Sequence, residues 1–355
     1  MSFATCNNME YYILANDFIR RRRRKRMENR SEITNVELEK CKDIISKITT
    51  SYYEKMVGQT RLGWSLLIAI ISNGHILLES VPGLAKTTAA KTLTDAVNGK
   101  FSRIQCTPDL LPSDIIGTQI FNYTTNTFET KLGPVYANFV LLDEINRSSA
   151  KTQSAMLEVM QEHQTTIGGL NYAMPKIFTV IATQNPIEQE GTYLLSEAQL
   201  DRFLIKEKID YPTQDEEFEI LNRIERDVFS KTESVVELED LYFLQQMAKK
   251  VYLDDAIKRY IISIVNATRH PAAVIGKDLA EYITLGSSTR GCIALMEVSK
   301  AVALINGRGY VTPDDVKTLI HSVLRHRVSL NFAAVADGVT EEQIIDKIVG
   351  AIATP

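Results

Sequence analysis

Five short strand-like runs, separated by stretches of helical periodicity, organise the first two thirds of the chain. They cover residues 75–79, 101–106, 139–142, 177–182 and 205–209. Phe139, Val140, Leu141 and Leu142 form a wholly apolar run between Asn138 and Asp143. A strand with no polar face is buried on both sides. Ahead of the first run, residues 32–53 read as a polar helix. Val57, Gly58 and Gln59 open a second helix, apolar through Ile71 and ended by Gly74. A third runs from Lys86 to about Val97. Strands alternating with helices predict an α/β fold, with a parallel sheet covered on both faces. Two inserted segments predict β-hairpins: residues 117–130, rich in Thr, Tyr, Phe and Asn, and residues 164–174, with Gly168 and Gly169 at the turn.

After Tyr211 and Pro212 the pattern becomes helical throughout. Thr213 with Glu216, and Thr340 with Gln343, have the spacing of a capping box. Ile257, Tyr260, Ile261, Ile264 and Val265 form one apolar stripe at helical spacing. Thr312-Pro313-Asp314-Asp315 combines an N-cap, a proline in the first turn and acids at the positive dipole end. The expected division is an amino-terminal arm over 1–32, an α/β domain over 33–229 and an all-helical domain over 230–355.

Composition narrows the function classes. The chain has 355 residues, 45% hydrophobic and 24% charged, which is ordinary globular usage. Its most apolar stretch, residues 66–78, is interrupted by Ser72, Asn73, Gly74 and His75, so no membrane-spanning helix is expected. The net charge of −4 gives little general attraction to nucleic acid or anionic lipid, and nucleic acid is not an expected partner. Cys6, Cys41, Cys106 and Cys292 are scattered and form no CxxC pair, which argues against a cysteine metal site and fits reduced thiols in the cytoplasm. The arm contains an unbroken basic run, residues 20–26, after a short apolar patch at 11–15. That order is the reverse of a signal peptide. The run reads as a basic binding arm, as a solvated tail, or as the translated purine-rich stretch ahead of a start at Met27. Intact mass separates the last reading from the others.

Ser80-Val81-Pro82-Gly83-Leu84-Ala85-Lys86-Thr87-Thr88 lies between an expected strand and an expected helix. That is the setting of a phosphate-binding loop. Backbone N–H groups from Gly83 to Thr88 would cradle phosphates at the positive end of the helix. Lys86 would reach the β- and γ-phosphates of ATP, and the Thr87 hydroxyl would bind Mg²⁺. The strict pattern has glycine at positions 80 and 85, where this chain has Ser80 and Ala85. Both are compatible with the loop if their φ angles are negative.

The apolar run 139–142 ends in Asp143 and Glu144. Asp143 would belong to the Mg²⁺ shell, and Glu144 would polarise an attacking water. The next strand leads to Asn185-Pro186. Asn185 would orient that water, or would simply form a turn before proline.

Together these residues resemble the MoxR family of AAA+ ATPases. The similar stretches are Val57-Gly58-Gln59 and residues 74–88, 107–114, 133–137, 143–147, 152–162, 182–203, 286–290 and 310–316. The resemblance implies a P-loop AAA+ core with inserted hairpins, a helical lid, ATP and Mg²⁺ as ligands, and a homo-oligomer, a hexameric or otherwise ring-like assembly. It implies Walker A roles for Lys86 and Thr87, within a loop that includes Pro82, Gly83, Leu84, Ala85 and Thr88. Asp143 and Glu144 match Walker B, and Asn185 matches sensor 1. Arg202 matches the arginine finger that acts on a neighbouring subunit's ATP, and Arg290 matches sensor 2 on the lid. Val57 and Gly58 match the segment that lies against adenine, and the hairpins match inserts that often face a ring's pore. The bland reading of Arg202 is an ion pair with Asp201 or Glu197; that of Arg290 is a surface arginine at a helix start. Arg147 reads either as a partner within its own chain or as a group crossing an interface. The implied activity is ATP-driven remodelling of a client protein, in this family usually one with a von Willebrand factor A domain. A nucleic-acid motor and a nucleotide-switched scaffold are the alternatives.

Overall fold

Alternation along the strands sorts the core into two layers. A computed structural model describes residues 33–81, 83–84, 86–186, 191–225 and 234–355. The expected arm over 1–32 and the expected boundary at 229/230 lie outside them. The central sheet contains β1 (Ile76–Glu79), β2 (Phe101–Gln105), β5 (Phe139–Asp143), β8 (Thr179–Gln184) and β9 (Ile205–Lys208). Their order is β2-β5-β8-β1-β9, and every neighbouring pair is parallel. Successive side chains of a strand point to opposite faces. Ile76, Leu78, Phe139, Leu141 and Ile181 therefore enter one buried cluster. Leu77, Val140, Leu142, Val180 and Ala182 enter the other. This is the doubly covered sheet that the apolar runs predict.

The first layer is covered by α1 (Asn35–Lys55), α2 (Thr60–Ile71) and α3 (Lys86–Asp95). The second is covered by α4 (Pro112–Ile116) and α5 (Ala150–Glu162). The two hairpins are β3 (Gly117–Asn122) with β4 (Thr127–Leu132), and β6 (Gln164–Ile167) with β7 (Leu170–Ala173). They touch each other where Tyr172 Oη donates to Thr130 Oγ1 at 2.9 Å. The first hairpin closes on two glycines whose bareness is needed: a Cβ at Gly117 or Gly133 would lie 2.2 or 2.1 Å from a backbone oxygen. After α6 (Glu197–Leu200) and β9, α7 (Gln214–Glu225) starts at the expected Thr213–Glu216 capping box.

The carboxyl-terminal part holds α8 (Leu238–Lys250), α9 (Asp255–Arg269), α10 (Ala272–Ile275), α11 (Lys277–Ala280), α12 (Thr289–Ile305), α13 (Pro313–Thr318), α14 (Ile320–Leu324), α15 (Phe332–Ala336) and α16 (Glu341–Ala351). The predicted stripe of α9 is buried, and its residues join the same apolar cluster as α1 and α2. The core is thus continuous from one face of the sheet into the helical part. Glu207 on β9 adds a polar tie across this seam. It is buried, accepts from Ser65 Oγ at 2.8 Å and Ser322 Oγ at 2.7 Å, and pairs with Arg61 at 2.8 Å.

Three local expectations are corrected. The carboxyl-terminal part is not wholly helical: β10 (Ile283–Leu285) pairs antiparallel with β11 (Ser329–Leu330), and both are too short to show a period. The fourth strand begins at Thr179 instead of Ile177, because its partner strand β5 begins at Phe139, the residue opposite Thr179. Helix α2 is stopped by Asn73, which adopts the left-handed conformation at φ 52°. Gly74 is bare for another reason, since a Cβ there would lie 2.4 Å from Leu204 Cδ2.

His75, just before β1, carries a pH prediction. Its Nδ1 accepts from the Val180 N–H at 3.0 Å, and its Nε2 donates to the Met160 carbonyl at 3.1 Å. Both ring nitrogens are used by the neutral tautomer. Burial pushes its pKa down to about 4 from an ordinary 6.5. The unfolded chain therefore takes up a proton between these values while the folded chain does not, and stability falls as pH drops through that window. The loss at pH 5 relative to pH 7.5 should be about 2 kcal/mol from this group. Urea midpoints at the two pH values test it, and His75→Gln should shrink the difference by about this amount.

Candidate active site

All five sheet strands run the same way, so Glu79, Gln105, Asp143 and Gln184 end on one edge. In open parallel sheets this edge is where ligands bind. The loop after β1 starts there. Ser80 N–H donates to the Gln184 carbonyl at 3.3 Å, and Ser80 is not among the positive-φ residues, as the departure from glycine requires. Gly83 has φ 88°, a conformation that favours glycine. Pro82 and Ala85 lie outside the described residues. Helix α3 begins at Lys86, so the N–H groups of Lys86, Thr87 and Thr88 fall in its first turn and have no partner within the helix. Leu84 is buried under the loop and Thr88 is exposed. Lys86 Nζ bends back to the Ser80 carbonyl at 3.1 Å. Burial lowers its pKa, against the pull of Asp143 and Glu144.

The carboxylates meet this loop. Thr87 Oγ1 donates to Asp143 Oδ2 at 3.5 Å. Thr183, on the neighbouring strand, donates its hydroxyl to Asp143 Oδ1 at 2.8 Å and accepts from the Glu144 N–H at 2.8 Å. One hydroxyl therefore fixes both acids. Glu144 has φ 58°, strained for a residue with a side chain, and the strain turns it out of the strand line. Its carboxylate accepts from Gln105 Nε2 at 3.1 Å and pairs with Arg147 at 3.3 Å. Asn185 is buried beside them, and its carbonyl accepts from Asn146 Nδ2 at 3.4 Å.

Among the described residues no group of three His, Cys, Asp or Glu side chains could hold a metal ion. The donor set suits Mg²⁺ nonetheless. That ion takes hard oxygens, commonly one carboxylate with the phosphates of a substrate. Thr87 and Asp143 supply such oxygens beside a phosphate loop. Val57 and Gly58 immediately precede α2 and its cap Gln59, and Gly58 lies against Glu216 of α7. Gly58 has φ 61°, and a Cβ there would lie 2.2 Å from the Glu216 carboxylate.

Arg202 and Arg290 are brought together elsewhere. Leu204 N–H donates to the His75 carbonyl at 2.8 Å, which fixes the Arg202 loop at the amino end of β1. The phosphate loop leaves the other end of the same strand. Asp201, Arg202, Arg290 and Arg327 line one crevice with Gly74 and His75. Asp201 does not pair with Arg202. It accepts from Ser288 Oγ at 2.9 Å and pairs with Arg327 at 2.8 Å and Arg290 at 3.6 Å. Arg290 is half exposed in the first turn of α12. The Nε of Arg202 is buried with no hydrogen-bond partner.

Four residues of these two sites escaped the sequence reading. Arg103 on β2 donates to Asp143 from Nη2 at 2.6 Å and from Nε at 3.2 Å. Gln105 and Thr183 sit at strand ends, the position that singled out Asn185, and that signal could have found them. Arg327 lies in a basic stretch that reads as surface.

A parallel sheet ending in a phosphate loop and an acidic pair, capped by a helical lid, defines the AAA+ class of P-loop proteins. Residues 75–205 match the ATPase family associated with various cellular activities (AAA), and residues 275–348 match the AAA lid domain. The chain is 45% identical to Chaperone MoxR1 of Mycobacterium tuberculosis, over 84% of this chain and 79% of that protein. It is 43% identical to YeaC of Bacillus subtilis, over 88% of this chain and 95% of that protein. A solved structure from Cytophaga hutchinsonii superposes with a TM-score of 0.85 at 44% identity, covering 90% of this chain and 97% of that one. The chain belongs to the MoxR family of AAA+ ATPases. No helix among the described residues is long and apolar enough to cross a membrane.

Proposed function

We propose that the protein hydrolyses ATP as a ring of identical subunits, a hexamer, and uses the cycle to remodel a client protein in the cytoplasm. Lys86 and the loop N–H groups bind the phosphates, and Val57 and Gly58 border the adenine. Thr87 and Asp143 hold Mg²⁺, which neutralises phosphate charge when bound. Glu144 takes the proton of the attacking water, with Asn185 orienting that water. Arg202 and Arg290 act on the nucleotide of the adjacent subunit.

One observation carries this reading. The loop, Lys86, Asp143 and Glu144 cluster at the carboxyl ends of the strands, whereas Arg202 sits at their amino ends. Strand β1 has four residues, roughly 13 Å at about 3.3 Å per residue. An arginine set that far from its own phosphate loop serves a second copy. The client class, a protein with a von Willebrand factor A domain, rests on family resemblance, and a relative named as a chaperone supports the remodelling role.

The test uses Glu144→Gln as a trap, tagged in the native host and captured with ATP. The expected result is a homo-oligomer of about six chains enriched for one protein with a von Willebrand factor A domain. Enrichment of nucleic acid would replace this reading with a motor. A monomer with ATP bound would overturn the ring.

A further inference from the structure

One buried side chain of the lid makes five hydrogen bonds, four of them to the loop that carries Arg202. Arg327 has 3% of its side chain exposed. Its Nε donates to Asp201 Oδ1 at 2.8 Å. Its Nη2 donates to the carbonyls of Phe203 at 2.6 Å and Asp201 at 3.3 Å. Its Nη1 donates to the carbonyl of Leu204 at 3.2 Å and to that of Val323. His326 adds an Nε2 donor to the Phe203 carbonyl at 3.0 Å. The backbone is therefore gripped on both sides of Arg202, while the buried Nε of Arg202 itself has no hydrogen-bond partner. Ser288 and Arg290, at the start of α12, hold the same Asp201.

Burying a guanidinium is costly, and a seam between core and lid closes as well with apolar side chains. Burial pulls the Arg327 pKa down to about 10, which shows how far the group is from water. What an apolar residue lacks is the planar fork, which fixes several acceptors at set angles. We propose that Arg327 is a positioning residue for Arg202: it fixes the finger's loop to the lid. A lid that shifts with its own subunit's nucleotide then moves the finger offered to the neighbour. This rests on Arg202 acting across the subunit interface.

The test mixes subunits. Arg327→Lys keeps the charge and loses the fork. Asp201→Asn keeps the shape and loses the ion pair, and it stands in should Arg327→Lys unfold. Each is assayed alone for kcat, KM and ATP affinity, then mixed with an excess of Glu144→Gln. Glu144→Gln subunits offer an intact finger and cannot hydrolyse their own ATP. Each variant alone should lose about 10- to 100-fold in kcat with KM and ATP affinity unchanged. Mixing should return at least tenfold, because the neighbour now supplies the finger. A loose lid that spoils its own nucleotide site would not be repaired by a neighbour. An unchanged kcat, or a loss that mixing leaves in place, overturns the proposal. Arg202→Ala mixed in the same way is the control. Recovery there without recovery for Arg327→Lys sinks the positioning role alone; no recovery there sinks the finger reading beneath it.

Discussion

Glu144→Gln should lower ATP hydrolysis by about 10²- to 10⁴-fold and leave ATP affinity within about twofold. The substitution removes one charge and one proton acceptor and keeps the shape. The backbone at position 144 is held by the Thr183 hydroxyl, and a glutamine there still accepts from Gln105. The same φ of 58° is imposed on either residue, so the strain is unchanged and the melting temperature should move little. Phosphate release gives the rate, and a fluorescent ATP analogue gives the affinity. An unaltered rate would remove Glu144 from the chemistry. A lost affinity would mean that the acid shapes the phosphate site instead of activating water. Asp143→Asn should differ, because Asp143 touches Arg103, Thr87 and Thr183 at once. Its loss disturbs the cation site and the neighbouring strand together.

The sheet was legible because burial on both faces leaves a mark in sequence. Residues 139–142 can be little else than an interior strand, and the structure puts each of them in one of the two apolar layers. The capping residues Thr312 and Thr340 were legible for a local reason: their bonds span three residues. The phosphate loop and the acidic pair were legible because each chemistry requires its residues at adjacent positions. Arg103 and Arg327 were not. Their partners lie 40 and 126 residues away, and nothing local separates a buried arginine from a solvated one. Asn73 was missed in favour of Gly74 because both residue types tolerate a left-handed backbone, and only the contact with Leu204 tells their tasks apart. Asp201 shows the same limit. Beside Arg202 in sequence it is, with Glu197, the candidate for the bland ion-pair reading of that residue, yet the fold gives it to the lid. The pairing leaves Arg202 without an ion pair among the described residues, as the proposed finger role requires.

Arg202→Ala should cost about 10³-fold in kcat at saturating ATP, with the affinity of the same subunit for ATP unchanged. A guanidinium delivered to the γ-phosphate stabilises charge that develops only in the transition state, so its removal shows in kcat. The unchanged affinity follows from topology, since Arg202 and the phosphate loop flank opposite ends of β1. The decisive arm is complementation. Arg202→Ala and Glu144→Gln should each be nearly inactive alone, but a mixture should recover activity where a Glu144→Gln subunit offers its finger to an Arg202→Ala subunit. Arg290→Ala should follow the same pattern with a smaller loss, because its guanidinium is half exposed and leans on Asp201 at 3.6 Å. If Arg202→Ala weakens ATP binding by its own subunit, or if mixtures stay as inactive as their parts, the arginine works within one chain and the two-subunit site is wrong.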